Sequence, residues 1–358
     1  MRVGIDCRKI ADYGIGTYIR GLLGGFAASD VDGAFVLYIP SNQGDLVPRD
    51  TRFEIVHDDS PHYSVREFFA LQRQIERSKV DLFHAPHYVT PMTTVPMVVT
   101  IHDLIHILYP ESTPNLLAPY YATWMIGRSV TRSRRVLTVS DTVRRSIIER
   151  WPGAADRIVI TPNGVDARFF ERVDAGRTGE ILRACGLERG RYFLYVGNDK
   201  VHKNIETLLE AFLEETDTLG FFHLAFAGRD FPGVPEIPRI VKTGYVEDET
   251  LRALYQNALA VVIPSSYEGF GLPAIEAMAS GTPVIASTGG ALPEVTGDAA
   301  MHFAPTSRVQ LREALVQIAT DDALRERLIE RGMRRARSFS WSSTAATTLD
   351  AYRASMRG

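Results

Sequence analysis

Short runs of β-branched and aromatic residues recur along the chain, apolar at consecutive rather than alternate positions. In the first half they read RVGIDC, FVLYIP, FEIVH, DLFHA, PMVVTIHD, RVLTVS and RIVIT; in the second, YFLYVG, HLAFAG, IVKTGYV, ALAVVIP, PVIAST and AAMHFA. A strand apolar on both faces belongs inside a parallel sheet covered by helices. Amphipathic stretches such as Asn204–Glu215 (NIETLLEAFLEE) and Asp248–Ala258 intervene and predict helices. Strand alternating with helix on this scale predicts α/β architecture with right-handed crossovers.

The pattern fades once, from Asp166 to Arg191, where Gly176, Gly179, Gly186 and Gly190 stand among many charges. Each side of that stretch carries its own strand series, and 358 residues suit two domains. The expected division is a Rossmann-like domain over 1–166, a linker over 167–190, a second Rossmann-like domain over 191–340, and a helix over 341–358. That last helix, around Trp341, is expected to pack back toward the first domain. Both domains read as doubly wound, facing one another across a cleft.

Composition narrows the classes. Hydrophobic residues make up 45% of the chain and charged residues 23%, enough apolar surface to offset the entropy of ordering. No run approaches the ~20 apolar residues of a membrane-spanning helix. The amino-terminal MRVGIDCRKIADYG puts Asp6, Arg8, Lys9 and Asp12 where a signal peptide needs apolar residues. Two cysteines, Cys7 and Cys185, form neither a disulfide framework nor a zinc pattern. These features predict a cytoplasmic protein. The net charge of −3 is not segregated into a basic domain, which argues against a nucleic-acid partner. One local exception stands out: no acid occurs between Glu111 and Asp141, while Arg128, Arg132, Arg134 and Arg135 cluster there. Residues 116–135 (LLAPYYATWMIGRSVTRSRR) join aromatic and apolar side chains to those arginines, a combination that suits an anionic membrane surface, at the inner face of the membrane, as well as a core helix with solvated arginines.

The densest chemistry is SSYEGFGLPAIEAMASG, Ser265–Gly281, directly after ALAVVIP. It reads as strand, glycine turn and helix, with Pro273 near the first helical position where its missing N–H costs least. Such a junction offers the backbone N–H groups of Gly269, Phe270, Gly271 and Leu272 to an anion. Glu268 in the loop and Glu276 in the first helical turns would repel phosphate unless they bind something else, and sugar hydroxyls fit. A helix-capping acid in an ordinary turn is the plainer alternative. Two acids, two glycines and a proline at one strand's carboxyl end, where such sheets place ligands, favour a site.

Glu268-x7-Glu276, embedded in EGFGLPAIEAMASGTPVIAS, resembles the signature of family 4 retaining glycosyltransferases of the GT-B fold. Supporting matches run in order along the chain: Gly14-Ile15-Gly16-Thr17-Tyr18, TIHDL around His102, VLTVS, TPNGVD, YVGNDKVHKN with Lys203, AFAGRD with Gly228, GYVEDETLRALYQNA, and GGALPEV with Glu294. The resemblance implies a nucleotide sugar on the second domain and a saccharide or lipid-linked acceptor on the first. It implies that Glu276 grips the ribose hydroxyls, since a carboxylate accepts from both members of a vicinal diol. Glu268 would hold the donor hexose and Lys203 the diphosphate; a glycine turn at Gly14 and Gly16 would let phosphate or acceptor approach the backbone closely, and Gly197 and Gly228 would line the donor. Val246 would meet the base through main chain. His102 would stabilise the transition state beside the hexose, with Tyr18, His84 and His87 toward the acceptor. The family's arginine after YVG is Asn198 here, so Lys200 or Arg229 is a candidate for sharing the phosphate charge with Lys203. Catalytic roles thus fall to His102, Glu268 and Lys203, with no cofactor and no metal.

Other classes lack their motifs. A nicotinamide dehydrogenase needs a third glycine where Gly14-x-Gly16 continues as Thr17-Tyr18-Ile19. Neither G-x-S-x-G nor a P-loop occurs. His84 and His87, or His102 and His106, suggest metal ligation by spacing, but no phased acidic ligand accompanies them. A sugar-nucleotide epimerase or a non-catalytic sugar-nucleotide-binding protein share the implied fold. Among donors, TIHDLIHILYPE and YVGNDKVHKN resemble bacterial mannosyltransferases of surface polysaccharide, which favours GDP-mannose over UDP-glucose, UDP-GlcNAc or dTDP-rhamnose.

Overall fold

The computed structural model describes residues 1–60, 65–112, 117–229 and 231–357, the side chains of 65–70 and 112 excepted. The chain divides into two compact units, Met1–Gly164 with Ser340–Gly358, and Val165–Phe339.

The first unit is built on β1 (Arg2–Asp6), β2 (Ala34–Ile39), β3 (Phe53–His57), β4 (Leu82–Ala85), β5 (Met97–Ile101), β6 (Arg135–Thr138) and β7 (Ile158–Ile160). All pair in parallel, in the order β3-β2-β1-β4-β5-β6-β7. Winding reverses between β1 and β4, which opens a crevice beyond their carboxyl ends. The consecutive apolar runs serve two cores. Val3, Ile5, Phe35, Leu37 and Val98 bury on one face, and Val36, Tyr38, Phe83, Val99 and Ile101 on the other.

The second unit carries β8 (Tyr192–Val196), β9 (His223–Ala227), β10 (Ile240–Gly244), β11 (Ala260–Ile263), β12 (Val284–Ser287) and β13 (Met301–Phe303). They are parallel in the order β10-β9-β8-β11-β12-β13, reversing between β8 and β11. Phe193, Leu224, Phe226, Val262 and Ile285 bury on one face of this sheet.

Two local expectations are corrected. The glycine-rich stretch 167–190 is not a linker but part of the second unit. Asp174 caps a helix Ala175–Ala184 by accepting from the Arg177 N–H at 3.0 Å, and Ile181 and Leu182 bury beneath it. One helix ends at Ala336, and Ser340 caps a new one, Trp341–Met356, through the Ser343 N–H. That helix lies in the first unit, along Tyr13–Ala27, where the Trp341 indole fills the space a side chain at Gly21 would need. Finally, Gly14 and Gly16 form no turn. They open the helix Tyr13–Ala27, and Gly16 is required because the Ile10 carbonyl presses on its Cα.

Candidate functional site

At the reversal point of the second sheet, β11 ends at Ile263 and the chain loops through Glu268 into the helix Leu272–Ala279. Gly271 turns that corner at φ 98°, a left-handed conformation that favours glycine. A Cβ on Gly289 or Gly290 would overlap the backbone of Ser265, Ser266 and Glu268, so the glycine pair after β12 lets the two loops touch. Glu268 is pinned there by its own carbonyl, which accepts from the Ala291 N–H at 2.8 Å.

The neighbouring strand delivers a cation. After β8 a short turn, Val201–Lys203, ends at Asn204, which adopts φ 54° and donates to the Pro264 and Pro305 carbonyls at 3.0 and 2.8 Å. Lys203 Nζ thereby lies 2.6 Å from Glu268 Oε1, which also accepts from Ser265 Oγ at 2.7 Å. The pair keeps 20% and 14% of its side-chain surface open. Burial raises the Glu268 pKa, but Lys203 and Ser265 outweigh it and hold the carboxyl below its ordinary value. It is an anion at neutral pH.

Glu276 sits two turns along the helix in a different setting. Burial pushes its pKa up to about 7, and the single hydroxyl of Tyr255, 2.9 Å away, only partly offsets this. A carboxyl half ionised at neutral pH is a poor structural cap and a fit acceptor for a ligand's hydroxyls. The remaining residues expected at the donor take varied places. Gly197 and Gly228 end β8 and β9, their N–H groups bonded to Ala227 and Gly244 carbonyls, and a side chain on Gly228 would overlap the Gly197 carbonyl. Phe270 is buried with its ring edge-on to Phe339, and Leu272 and Val246 are half-buried. The Asn198 carbonyl accepts from Tyr195, and its side chain from the Lys200 N–H. Arg229 stacks over the Tyr245 ring at 4.9 Å. Gly16 belongs to the other unit, its N–H given to the Asp12 carbonyl.

In the first unit the expected residues gather at the β1/β4 crevice. His102 follows β5, its Nε2 2.9 Å from the Pro86 carbonyl. A carbonyl only accepts, so Nε2 carries the proton and Nδ1 is left as an acceptor. Burial holds the ring below its ordinary pKa, hence neutral. Tyr18 and His84, expected at the acceptor, are fully buried. His84 uses both nitrogens within the protein, Nδ1 with Tyr352 OH at 2.6 Å and Nε2 with Thr100 Oγ1 at 2.8 Å. Thr100 Oγ1 also meets Tyr18 OH at 3.0 Å, and the Tyr18 ring stands edge-on to His102 at 4.7 Å. These two are supports beneath His102. His87, also buried, lies 3.3 Å from Asp6, which Arg8 grips through two hydrogen bonds of 2.7 and 2.8 Å. Among the described residues, no three His, Cys, Asp or Glu are placed to hold a metal ion.

Tyr255, Ser265, Asn204 and the Asp6–Arg8 pair escaped the sequence reading. Ser265 adjoins the Glu268 motif and Asn204 adjoins Lys203, which is their only local signal. Tyr255 meets Glu276 only through the fold.

Residues 190–321 match the family model described as glycosyl transferases group 1, and residues 13–169 match glycosyltransferase family 4. The chain is 33% identical over 283 residues to O-antigen chain mannosyltransferase B of Escherichia coli, covering 76% of this chain and 74% of that one. Identity to the O-antigen chain mannosyltransferase RfbU of Salmonella typhimurium is 28%, over 72% of this chain and 70% of that one. Among solved structures, sucrose-phosphate synthase from Thermosynechococcus elongatus superposes with a TM-score of 0.80 at 21% identity, over 99% of this chain and 98% of that one.

Proposed function

Since this chain belongs to the group 1, family 4 glycosyltransferases and has their two-sheet GT-B fold, we propose that it moves mannose from GDP-mannose to a saccharide or lipid-linked acceptor, retaining anomeric configuration and needing no metal. The observation that carries the donor site is the Lys203–Glu268 pair at the β8/β11 reversal, with the strained carboxyl of Glu276 on the helix that follows. The mannose assignment draws on the two O-antigen mannosyltransferases named above.

In this reading the arriving diphosphate draws the Lys203 ammonium from Glu268, whose carboxylate turns to the hexose hydroxyls. Charge grows on the diphosphate as the glycosidic bond breaks, so a fixed cation stabilises the transition state more than the ground state. The Leu272 N–H at the head of the helix adds to that field, Pro273 having none and Ala274 giving its own to the Gly271 carbonyl. Glu276, ionised, accepts from both ribose hydroxyls. Neutral His102 accepts from a sugar hydroxyl through Nδ1, its ring backed edge-on by Tyr18, whose hydroxyl is held by Thr100. His87 faces the acceptor side.

The test incubates the protein with GDP-mannose, UDP-glucose, UDP-GlcNAc and dTDP-rhamnose and follows nucleotide release, with and without EDTA. Release of GDP that survives EDTA is expected. Release from a UDP or dTDP donor alone replaces the donor. Abolition by EDTA with rescue by Mg²⁺ overturns the metal-free mechanism. Binding without turnover on any acceptor favours a non-catalytic binding protein, and release of nucleotide with an epimerised sugar and no acceptor an epimerase.

A further inference from the structure

Glu276 stands on one helix of the second unit and its hydrogen-bond donor on another. Glu276 belongs to Leu272–Ala279 and keeps part of its surface open, whereas Tyr255 belongs to Asp248–Asn257 and is fully buried. The Tyr255 hydroxyl donates to Glu276 Oε2 at 2.9 Å. The tyrosine itself has little room to move. Its carbonyl accepts from Thr282 Oγ1 at 2.6 Å, and its ring stands edge-on to Phe169 with centroids 5.8 Å apart. The next residue, Gln256, is tied at both ends of its amide: Nε2 donates to the Glu171 carbonyl at 2.7 Å, and Oε1 accepts from the Val173 N–H at 3.0 Å. A glutamate, by contrast, is one of the side chains with most rotamer freedom to lose. A fixed donor therefore meets a carboxyl that would otherwise wander.

We propose that Tyr255 is the positioning residue of the donor site, its hydroxyl fixing the Glu276 carboxylate in the orientation that accepts both ribose hydroxyls. The proposal rests on the ribose reading of Glu276 and is independent of which base the nucleotide carries. One donated bond leaves most of the carboxylate's lone-pair sites to a ligand. Holding them in place beforehand spares the ligand the cost of ordering the side chain. Burial keeps the Tyr255 hydroxyl protonated, its pKa well above the ordinary value, so it remains a donor throughout the neutral range. Burial also opposes ionisation of Glu276, and the Tyr255 bond works against that. Asp248 and Asp166 face the same carboxyl and raise its pKa further; Arg168 engages both, at 3.0 and 2.7 Å. Among the described residues no cation acts on Glu276, which leaves the Tyr255 hydroxyl as the group that favours the ion.

Calorimetry with GDP and UDP, each against its 2′,3′-dideoxy form, tests this on wild type and Tyr255→Phe. Phenylalanine keeps the ring against Phe169 and removes only the hydroxyl; far-UV dichroism and the thermal midpoint confirm folding. In wild type, whichever nucleotide binds should lose affinity without its ribose hydroxyls. Tyr255→Phe should bind that nucleotide about tenfold more weakly, the worth of one hydrogen bond to a charged group, yet bind the dideoxy form as wild type does. Its preference for ribose should also set in at a higher pH, because the bond that lowers the Glu276 pKa is gone. Adding Tyr255→Phe to Glu276→Gln should cost no further ribose preference, since the two act as one unit. Equal weakening of both forms would mean that Tyr255 only braces two helices. A ribose preference that the variant keeps in full would mean that Glu276 is placed without it. Either result overturns the proposal and leaves the ribose reading standing. A wild type that binds both forms alike, or binds neither nucleotide, removes the ribose reading and the proposal with it.

Discussion

Glu276, which we propose binds the ribose, works against the fold that holds it. Its carboxyl titrates near 7 because the ion is buried with one hydroxyl partner. The protonated form is the favoured one in the folded chain. Its contribution to stability is therefore full below the ordinary carboxyl pKa and is lost as pH rises through 7. A shift of this size is worth about 3 kcal/mol, reduced to about 2 kcal/mol where water screens the open side. Glu276→Gln should thus leave the melting temperature unchanged at pH 4 and raise it at pH 8. The same substitution should raise the KM for the donor with little change in kcat, because ribose contacts are alike in ground and transition states. In wild type the donor KM should climb as pH falls below 7. A variant that melts lower at pH 8 would mean that the carboxylate is structurally satisfied, and would remove the case for a vacant acceptor.

At the scale of elements, all thirteen strands among the described residues were legible: central ones such as β1, β2, β5, β8, β11 and β12 are buried on both faces and written as apolar runs, while the edge strands β3, β7 and β10 stay partly exposed and are shorter of apolar residues. What failed was punctuation. Glycine was read as turn at Gly14–Gly16, where it opens a helix, and as linker at 167–190, where Gly176 and Gly179 sit in a helix and Gly186 and Gly190 take left-handed turns. The contact of Gly21 with Trp341 joins residues 320 apart in sequence, and no spacing rule reaches that far. It does make a prediction. Gly21→Ala places a methyl inside the Trp341 indole, and overpacking of this kind typically costs about 1–3 kcal/mol. The thermal midpoint should fall, and Trp341→Leu should partly restore it. An unchanged midpoint would mean that the helix Trp341–Met356 shifts freely along Tyr13–Ala27, which would also loosen the Tyr352–His84 link it carries.

For the whole molecule, the candidate residues sort by unit. Lys203, Glu268 and Glu276 belong to Val165–Phe339, while His102, His87, Tyr18 and His84 belong to the other. The motif around Glu268 was readable because one strand–loop–helix junction is contiguous in sequence. The layer beneath His102 was readable only as isolated histidines, since Thr100 and Tyr352 join them through tertiary structure. This division predicts the outcome of hydrogen exchange with and without nucleotide. GDP alone lacks the hexose yet keeps ribose and diphosphate, so it should slow exchange after β8, in the loop 264–271 and in the first turn of Leu272–Ala279. At a hundred times its Kd it should stabilise the native state by about 2.7 kcal/mol. UDP shares ribose and diphosphate, so the same segments should respond, at higher concentration, while the Gly244–Glu247 segment near the base should separate the two nucleotides. Protection by GDP at the ends of β1, β4 and β5 with none in the second unit would place the donor on the wrong side of this account. Stronger protection by UDP than by GDP would keep the site and discard the guanine.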